Sequence, residues 1–261
     1  MRKSRTLIIL VCLGLLSCAS VNSQKKIEQA REKDPQYQYN IGLFYLNGNN
    51  VADAIKYFNK ALSLNPRHYQ SLNALGLANS MRGNLEEAVN LYQKCLQIAP
   101  DFAEAHNNLG TVYQEMGFPD KAEEEFKKVT EDKNYTHKEL PYYNLARLYF
   151  GKQDFEKARM YVDNALKINT RFALAYNLLG LVLESQNNLY GALESYKMAA
   201  KIVPDDVNFN FNLGAAYFKT DDLGRAAEVL EKIAPQVTDL EMKEKLNSYL
   251  KAIKEKEKSP V

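Results

Sequence analysis

The chain has 261 residues, 46% hydrophobic and 25% charged, with only 12 Gly and 8 Pro, so it can bury a core and is neither low-complexity nor disordered material. Its formal charge of +2 falls to −1 once the cations Arg2, Lys3 and Arg5 leave with an N-terminal leader. So small a charge provides no general attraction to nucleic acid or to an anionic membrane surface.

The leader is the first element. Positive charge at Arg2, Lys3 and Arg5 precedes an apolar run over residues 7–16 and small residues over 17–20. That layout predicts a secretory signal, and the run is too short to be a permanent span. Its end, Leu15, Leu16, Ser17, Cys18, resembles the bacterial lipobox. The resemblance implies a signal peptide over residues 1–17, cleavage before Cys18 and acylation of the Cys18 thiol, with residues 18–34 forming the lipidated start and a polar tether. A plain signal peptide with a chance cysteine is the alternative. Several acyl chains, at about 0.8 kcal/mol per buried CH₂, exceed what a single chain needs for marginal binding. Ala19 in place of Asp implies, by the enterobacterial sorting rule, an outer-membrane address facing the periplasm. Cys12 leaves with the leader and Cys18 is taken by lipid, so Cys95 alone remains and no disulfide framework is possible within the mature chain.

From residue 35 a ladder of small residues begins. Gly42, Gly76, Gly110, Ala146, Gly180 and Gly214 are spaced by 34, 34, 36, 34 and 34 residues, and each is followed twelve positions later by Ala54, Ala88, Ala122, Ala158, Ala192 or Ala226. This spacing belongs to the tetratricopeptide (TPR) helix-turn-helix repeat. It predicts an all-α fold, a right-handed TPR superhelix (α-solenoid) of six repeats over residues 35–68, 69–102, 103–138, 139–172, 173–206 and 207–237. Small residues let the two helices of a repeat, A and B, approach closely, and aromatics fill the gaps between successive hairpins. No repeat buries its face alone, so stacking makes one continuous core. The first aromatic is Tyr45, Tyr113, Tyr149 or Tyr217, with Asn79 and Leu183 in the other two repeats. The second is Phe58, Tyr92, Phe126 or Tyr196, replaced by Val162 and Leu230.

Helix A ends at Asn49, Gly83, Gly117, Gln153, Asn187 or Asp221, and all but Gln153 tolerate the left-handed conformation of a helix C-cap. The third repeat is irregular. Residues 130–140 carry two extra residues, and helix A is expected to resume at Pro141. After the sixth repeat, Thr238 with Glu241 reads as a capping box, and Leu240, Leu246, Leu250 and Ile253 form the stripe of a C-terminal capping helix over residues 238–255. Residues 256–261 are a charged tail.

Little in the chain supports chemistry. His68, His106 and His137 are scattered, no Cys or carboxylates stand at metal spacing, and there is no phosphate-binding Gly-rich loop. No enzymatic activity, cofactor, metal or small-molecule substrate is expected. Binding remains. In a TPR array the helix A faces line the groove, which places Tyr39, Asn40, Leu43, Asn73, Asn107, Asn108, Tyr143, Asn144, Asn177, Phe211 and Asn212 on that surface, with Phe150 and Phe218 adding apolar contacts. Asn amides both donate and accept, so such a column can pair with the backbone of an extended peptide. Equally, Asn is tolerated on any polar face. A carboxylate clamp is disfavoured, because Gln36, Gln70, Glu104, Leu140, Leu174 and Asn208 stand where its lysines would be.

Lipobox, short tether, six repeats with one longer junction and a terminal helix together resemble the type IV pilus pilotins of the PilF/PilW type. The segment from His106, Asn107, Asn108, Leu109 and Gly110 to Tyr143, Asn144 and Leu145 is the most family-like part. The resemblance implies an outer-membrane TPR lipoprotein, held by its N-terminal lipid, that binds secretin subunits and promotes their localisation and assembly for pilus biogenesis. The first-half groove, nearest the lipid, is the expected capture site. The alternative is a lipoprotein scaffold for peptidoglycan hydrolases or other envelope-assembly factors. Neither reading involves nucleic acid.

Overall fold

Each Gly or Ala of the ladder lies in the first helix of a helical pair. The structure, a computed structural model, describes residue 28 and residues 30–258; the signal peptide and Cys18 lie outside them. Helices A are α1 (Pro35–Asn47), α3 (Tyr69–Ser80), α5 (Ala103–Glu115), α7 (Glu139–Gly151), α9 (Ala173–Ser185) and α11 (Val207–Lys219). Helices B are α2 (Val51–Leu64), α4 (Leu85–Ile98), α6 (Pro119–Glu131), α8 (Phe155–Ile168), α10 (Leu189–Ile202) and α12 (Leu223–Ile233). A short 3-10 turn (Ala234–Gln236) leads to α13 (Leu240–Lys258). The chain divides at Gly117 into two compact units, one holding α1–α5 and the other α6–α13.

The ladder is a packing device. A Cβ added at Gly76 would lie 2.7 Å from the Tyr92 ring, and one at Gly214 2.6 Å from Leu230; Gly42 and Gly180 stand in the same relation to Phe58 and Tyr196. The second aromatic therefore covers the glycine of its own hairpin, not the gap to the next. The first aromatic reaches the preceding hairpin as well as its own: Tyr113 on α5 accepts from Gln93 on α4 at 3.2 Å and Lys197 on α10 lies 5.6 Å from the Tyr217 ring on α11, while Tyr45 and Tyr149 stack on Tyr57 and Tyr161 of their own hairpins at 5.3 Å and 5.4 Å. Ala54, Ala88, Ala122, Ala158 and Ala226 are fully buried and Ala192 nearly so. Cys95 occupies the same kind of small buried position, and burial pushes its thiol up to about 12, which makes it inert as a nucleophile.

Among the described residues two buried side-chain polar atoms lack a hydrogen-bond partner, Gln38 Oε1 and the Tyr92 hydroxyl. Phe58 and Phe126 fill the position equivalent to Tyr92 in the neighbouring repeats. An orphaned hydroxyl costs about 1–3 kcal/mol of desolvation. Tyr92→Phe is expected to leave the chemical-denaturation midpoint unchanged or raised; a clear fall would mean the hydroxyl has a partner.

All six positions that end helix A adopt positive φ: Asn49 (57°), Gly83 (78°), Gly117 (79°), Gln153 (60°), Asn187 (59°) and Asp221 (62°). The motif is closed by a backbone bond from the residue after the turn, as in Asn50 N to Tyr45 O at 2.8 Å and Asp154 N to Tyr149 O at 3.0 Å. Gln153 is thus forced into the conformation that its side chain suits least. Gln153→Gly should stabilise the protein by about 0.5–1 kcal/mol, the left-handed penalty less the entropy glycine adds to the unfolded chain. A lower melting temperature would contradict this.

The junction after α6 is shorter than the sequence suggests. Helix α7 begins at Glu139, with Pro141 buried in its first turn, and Lys138 donates to the Thr130 carbonyl at 3.0 Å to cap the end of α6. Glu123 ties α6 to α7, accepting from Lys127 (2.7 Å), the Tyr149 hydroxyl (2.6 Å) and Lys152 (3.1 Å). Desolvation pushes its carboxyl up, but those three donors outweigh it and hold the group at about 2. The acidic run on α6 is therefore only partly a solvated face, since Glu123 is engaged and Glu125 buried.

At the C-terminal end Asp239, not Thr238, caps α13, accepting from Met242 N at 2.8 Å, while Glu241 pairs with Lys245 at 2.6 Å. Leu246 and Ile253 are buried as expected, but Leu240 is 76% exposed, and Met242 and Tyr249 complete the stripe instead.

Candidate functional site

Helices A of one unit lie side by side, so residues at i, i+3/i+4 and i+7 of each present one face. On α1, α3 and α5 this face carries Tyr39, Asn40 and Leu43, then Asn73, then Asn107 and Asn108. Asn108 Nδ2 donates to Asn73 Oδ1 at 3.1 Å. Tyr39 is only half exposed: its ring lies 6.0 Å from Phe58 and 5.5 Å from His68, and burial, then Glu104, push its hydroxyl up. Asn40 is exposed and accepts from Gln36 at 3.0 Å. Leu43 flanks the core of this unit. Leu77 on α3 (37% exposed) and Met81 just after it (50%) add apolar surface.

In the second unit the asparagine pairing recurs, with Asn212 Nδ2 on α11 donating to Asn177 Oδ1 on α9 at 2.8 Å. Each paired amide has used one donor or one acceptor, so a donor and an acceptor remain available on each pair. The sequence suggested asparagines waiting singly for a ligand; tertiary packing joins them across adjacent repeats and fixes their orientation. Other expected contacts are changed more. Asn144 is buried rather than displayed. Phe211 and Phe218 lie 6.2 Å and 5.2 Å from Tyr249, so α13 covers this end of the face, and Lys256 reinforces it by bonding Asp221 at 2.8 Å. Tyr143 rests 5.1 Å from Phe172, with the Arg147 guanidinium 5.9 Å from its ring centre. Phe150 meets Phe155 at 5.7 Å.

The histidines have local roles. His68 Nδ1 lies 2.8 Å from Ser71 Oγ and its Nε2 3.3 Å from Gln36, His106 Nε2 reaches the Pro100 carbonyl at 2.7 Å, and His137 lies 3.5 Å from Glu139. Among the described residues no cluster of His, Cys, Asp and Glu is arranged to hold a metal, and no helix is long and apolar enough to cross a membrane.

The described hairpins, with small residues buried under aromatics and left-handed turns between A and B, fit known repeat families. Models described as tetratricopeptide repeat match residues 35–68, 57–90 and 141–171, and one described as TPR repeat matches 81–117 and 184–221; together they cover more than half of the chain. The chain belongs to the tetratricopeptide-repeat proteins. In fold this TPR protein is of the PilF/PilW type. It aligns with the structure of Pseudomonas aeruginosa PilF at a TM-score of 0.74 and 17% identity, over 84% of this chain and 99% of PilF. The structure of PilW, a type IV pilus biogenesis factor, aligns at 0.74 and 17%, over 81% of this chain and 97% of PilW. Cut9–Hcn1 of the APC/C aligns at 0.75 and 17%, but over only 43% of that chain. Among curated proteins the CTR9 homolog of Arabidopsis thaliana is 33% identical over 95 residues, 35% of this chain and 9% of that relative's length. At these identities the structural likenesses establish the fold, and TPR proteins of this kind mediate protein–protein contacts.

Proposed function

We propose that this TPR protein is an outer-membrane lipoprotein that binds secretin subunits and promotes their assembly for type IV pilus biogenesis. The observation that carries the reading is the correspondence with PilF and PilW, in which this chain matches nearly the whole of each of those chains. The lipobox and polar tether read ahead of the repeats, and α13 after them, support it. The binding elements are the helix A faces: asparagine pairs Asn73–Asn108 and Asn177–Asn212 offer oriented donors and acceptors to an extended backbone, and Leu43, Leu77 and Met81 offer apolar contacts beside the first pair. Cys18 supplies the membrane address, and the work is capture and delivery, with no bond made or broken.

Deleting the gene tests the reading. The secretin multimer should disappear from the outer membrane while its subunits persist, and the wild-type gene should restore it. Unchanged multimers would reject the proposal; recovery of peptidoglycan hydrolases with the purified protein, and no secretin, would select the envelope-scaffold alternative.

A further inference from the structure

Among the described residues, the charges on helices A of the second unit are paired with one exception. Glu184 on α9 pairs with Lys219 on α11 and accepts from the Tyr196 hydroxyl at 3.3 Å. Lys152, just beyond α7, is held by Asp120 at 3.0 Å and Glu123 at 3.1 Å on α6. Arg147 on α7 is exposed and has no carboxylate partner among the described residues. Its guanidinium is placed against the Tyr143 ring, 5.9 Å from the centroid, and Tyr143 is itself braced by Phe172. A cation stacked in this way is oriented before any ligand arrives, which lowers the ordering cost of binding.

The same face is apolar where other repeats are polar. Leu140 is 44% exposed and Leu174 47%, at the positions held by Gln36, Gln70, Glu104 and Asn208 elsewhere. Leu140 and Arg147 share one face of α7, seven residues apart, and Leu174 with Asn177 lies on the adjacent helix A. Seven residues of helix rise about 10 Å, and neighbouring helices are spaced by about 8–10 Å. An extended chain covers either gap in about three residues.

We infer that the face built by Leu140, Tyr143, Arg147, Leu174 and Asn177 docks an extended segment of a protein partner in which an internal Asp or Glu lies two or three residues from a Leu-like side chain. The acid pairs with Arg147, the apolar residue sits on Leu140 and Leu174, and Asn177 addresses the intervening backbone. An internal acid is the occupant rather than a chain terminus, because the positions that would flank a terminal carboxylate with further cations are the exposed leucines Leu140 and Leu174. This inference deepens the proposed binding function by giving the partner segment its chemistry, and it assigns that segment to the second unit.

The test uses the full chain purified in detergent and fluorescent, doubly capped decapeptides of Gly and Ser that carry two Leu and one Asp at varied spacing. Anisotropy titrations should show binding strongest at a Leu–Asp separation of two or three, and at least fivefold weaker when Asn replaces Asp. Arg147→Gln should abolish that preference, Arg147→Glu should transfer it to peptides with Lys in place of Asp, and Leu174→Ser should weaken all peptides about threefold. Both side chains are exposed, so unchanged melting curves should accompany these losses. The inference is overturned if no capped peptide binds, if Asn serves as well as Asp, if Arg147→Gln keeps the preference, or if a free C-terminal carboxylate outcompetes the internal acid. Secretin capture without an acid preference would reject this docking site alone; an acid preference without secretin capture would reject the secretin assignment alone.

Discussion

Gly76→Ala is expected to cost about 1–3 kcal/mol, the usual range for forcing an extra carbon into a full core. The added Cβ would sit 2.7 Å from a Tyr92 ring that is fully buried and has nowhere to move. The fourth repeat shows how the chain accommodates a Cβ at this rung: Ala146 and Val162 are both fully buried, a larger residue on helix A facing a smaller one on helix B. Tyr92→Val alone should be worse than the glycine change, about 3 kcal/mol or more, because it removes a buried ring and leaves a cavity. Combining the two should recover part of the loss, with a coupling of about 1 kcal/mol or more between sites in direct contact. Chemical denaturation of the four proteins measures that coupling, and strictly additive losses would show that the ring and the rung do not constrain each other.

Cys18→Ala should shift the protein from the membrane fraction to the soluble one. A single acyl chain gives only marginal binding, and the acylation proposed at Cys18 supplies more than one, so the change removes the entire anchor and not a fraction of it. Incorporation of labelled palmitate should vanish with the same substitution. Retention of Cys18→Ala in washed membranes would reject lipid as the anchor. A released protein should also fail to support secretin multimers at the outer membrane even though both helix A faces remain intact, which separates delivery from capture.

Much of this molecule was legible from residue order because the repeat imposes short-range rules. Positions ending helix A are recognisable from Asn49, Gly83, Gly117, Asn187 and Asp221, and the 34-residue period carried Gln153 into the same conformation against its own preference. Buried rungs such as Ala54 were legible for the same reason: the position it shares with Ala88, Ala122, Ala158, Ala192 and Ala226 holds a buried alanine in every repeat. Capping was less so. Thr238 and Asp239 are both able caps, and Asp239, the stronger of the two, is the one that accepts.

The binding surface was legible only in outline. Periodicity places Asn73, Asn108, Asn177 and Asn212 on helix A, but it does not say that residues 35 apart bond to each other, since that needs two hairpins packed at a particular distance. Nor does it say that Asn144 turns inward, that Tyr249 covers Phe211 and Phe218, or that Glu123 is claimed by three donors. The sequence by itself determined the repeat unit, its turns and its buried small residues, because those depend on steric limits within one hairpin. Only the tertiary structure decided which polar and charged side chains are spent on neighbouring repeats and which, like Arg147, have no carboxylate beside them among the described residues, because that choice depends on distances between hairpins that no local pattern encodes.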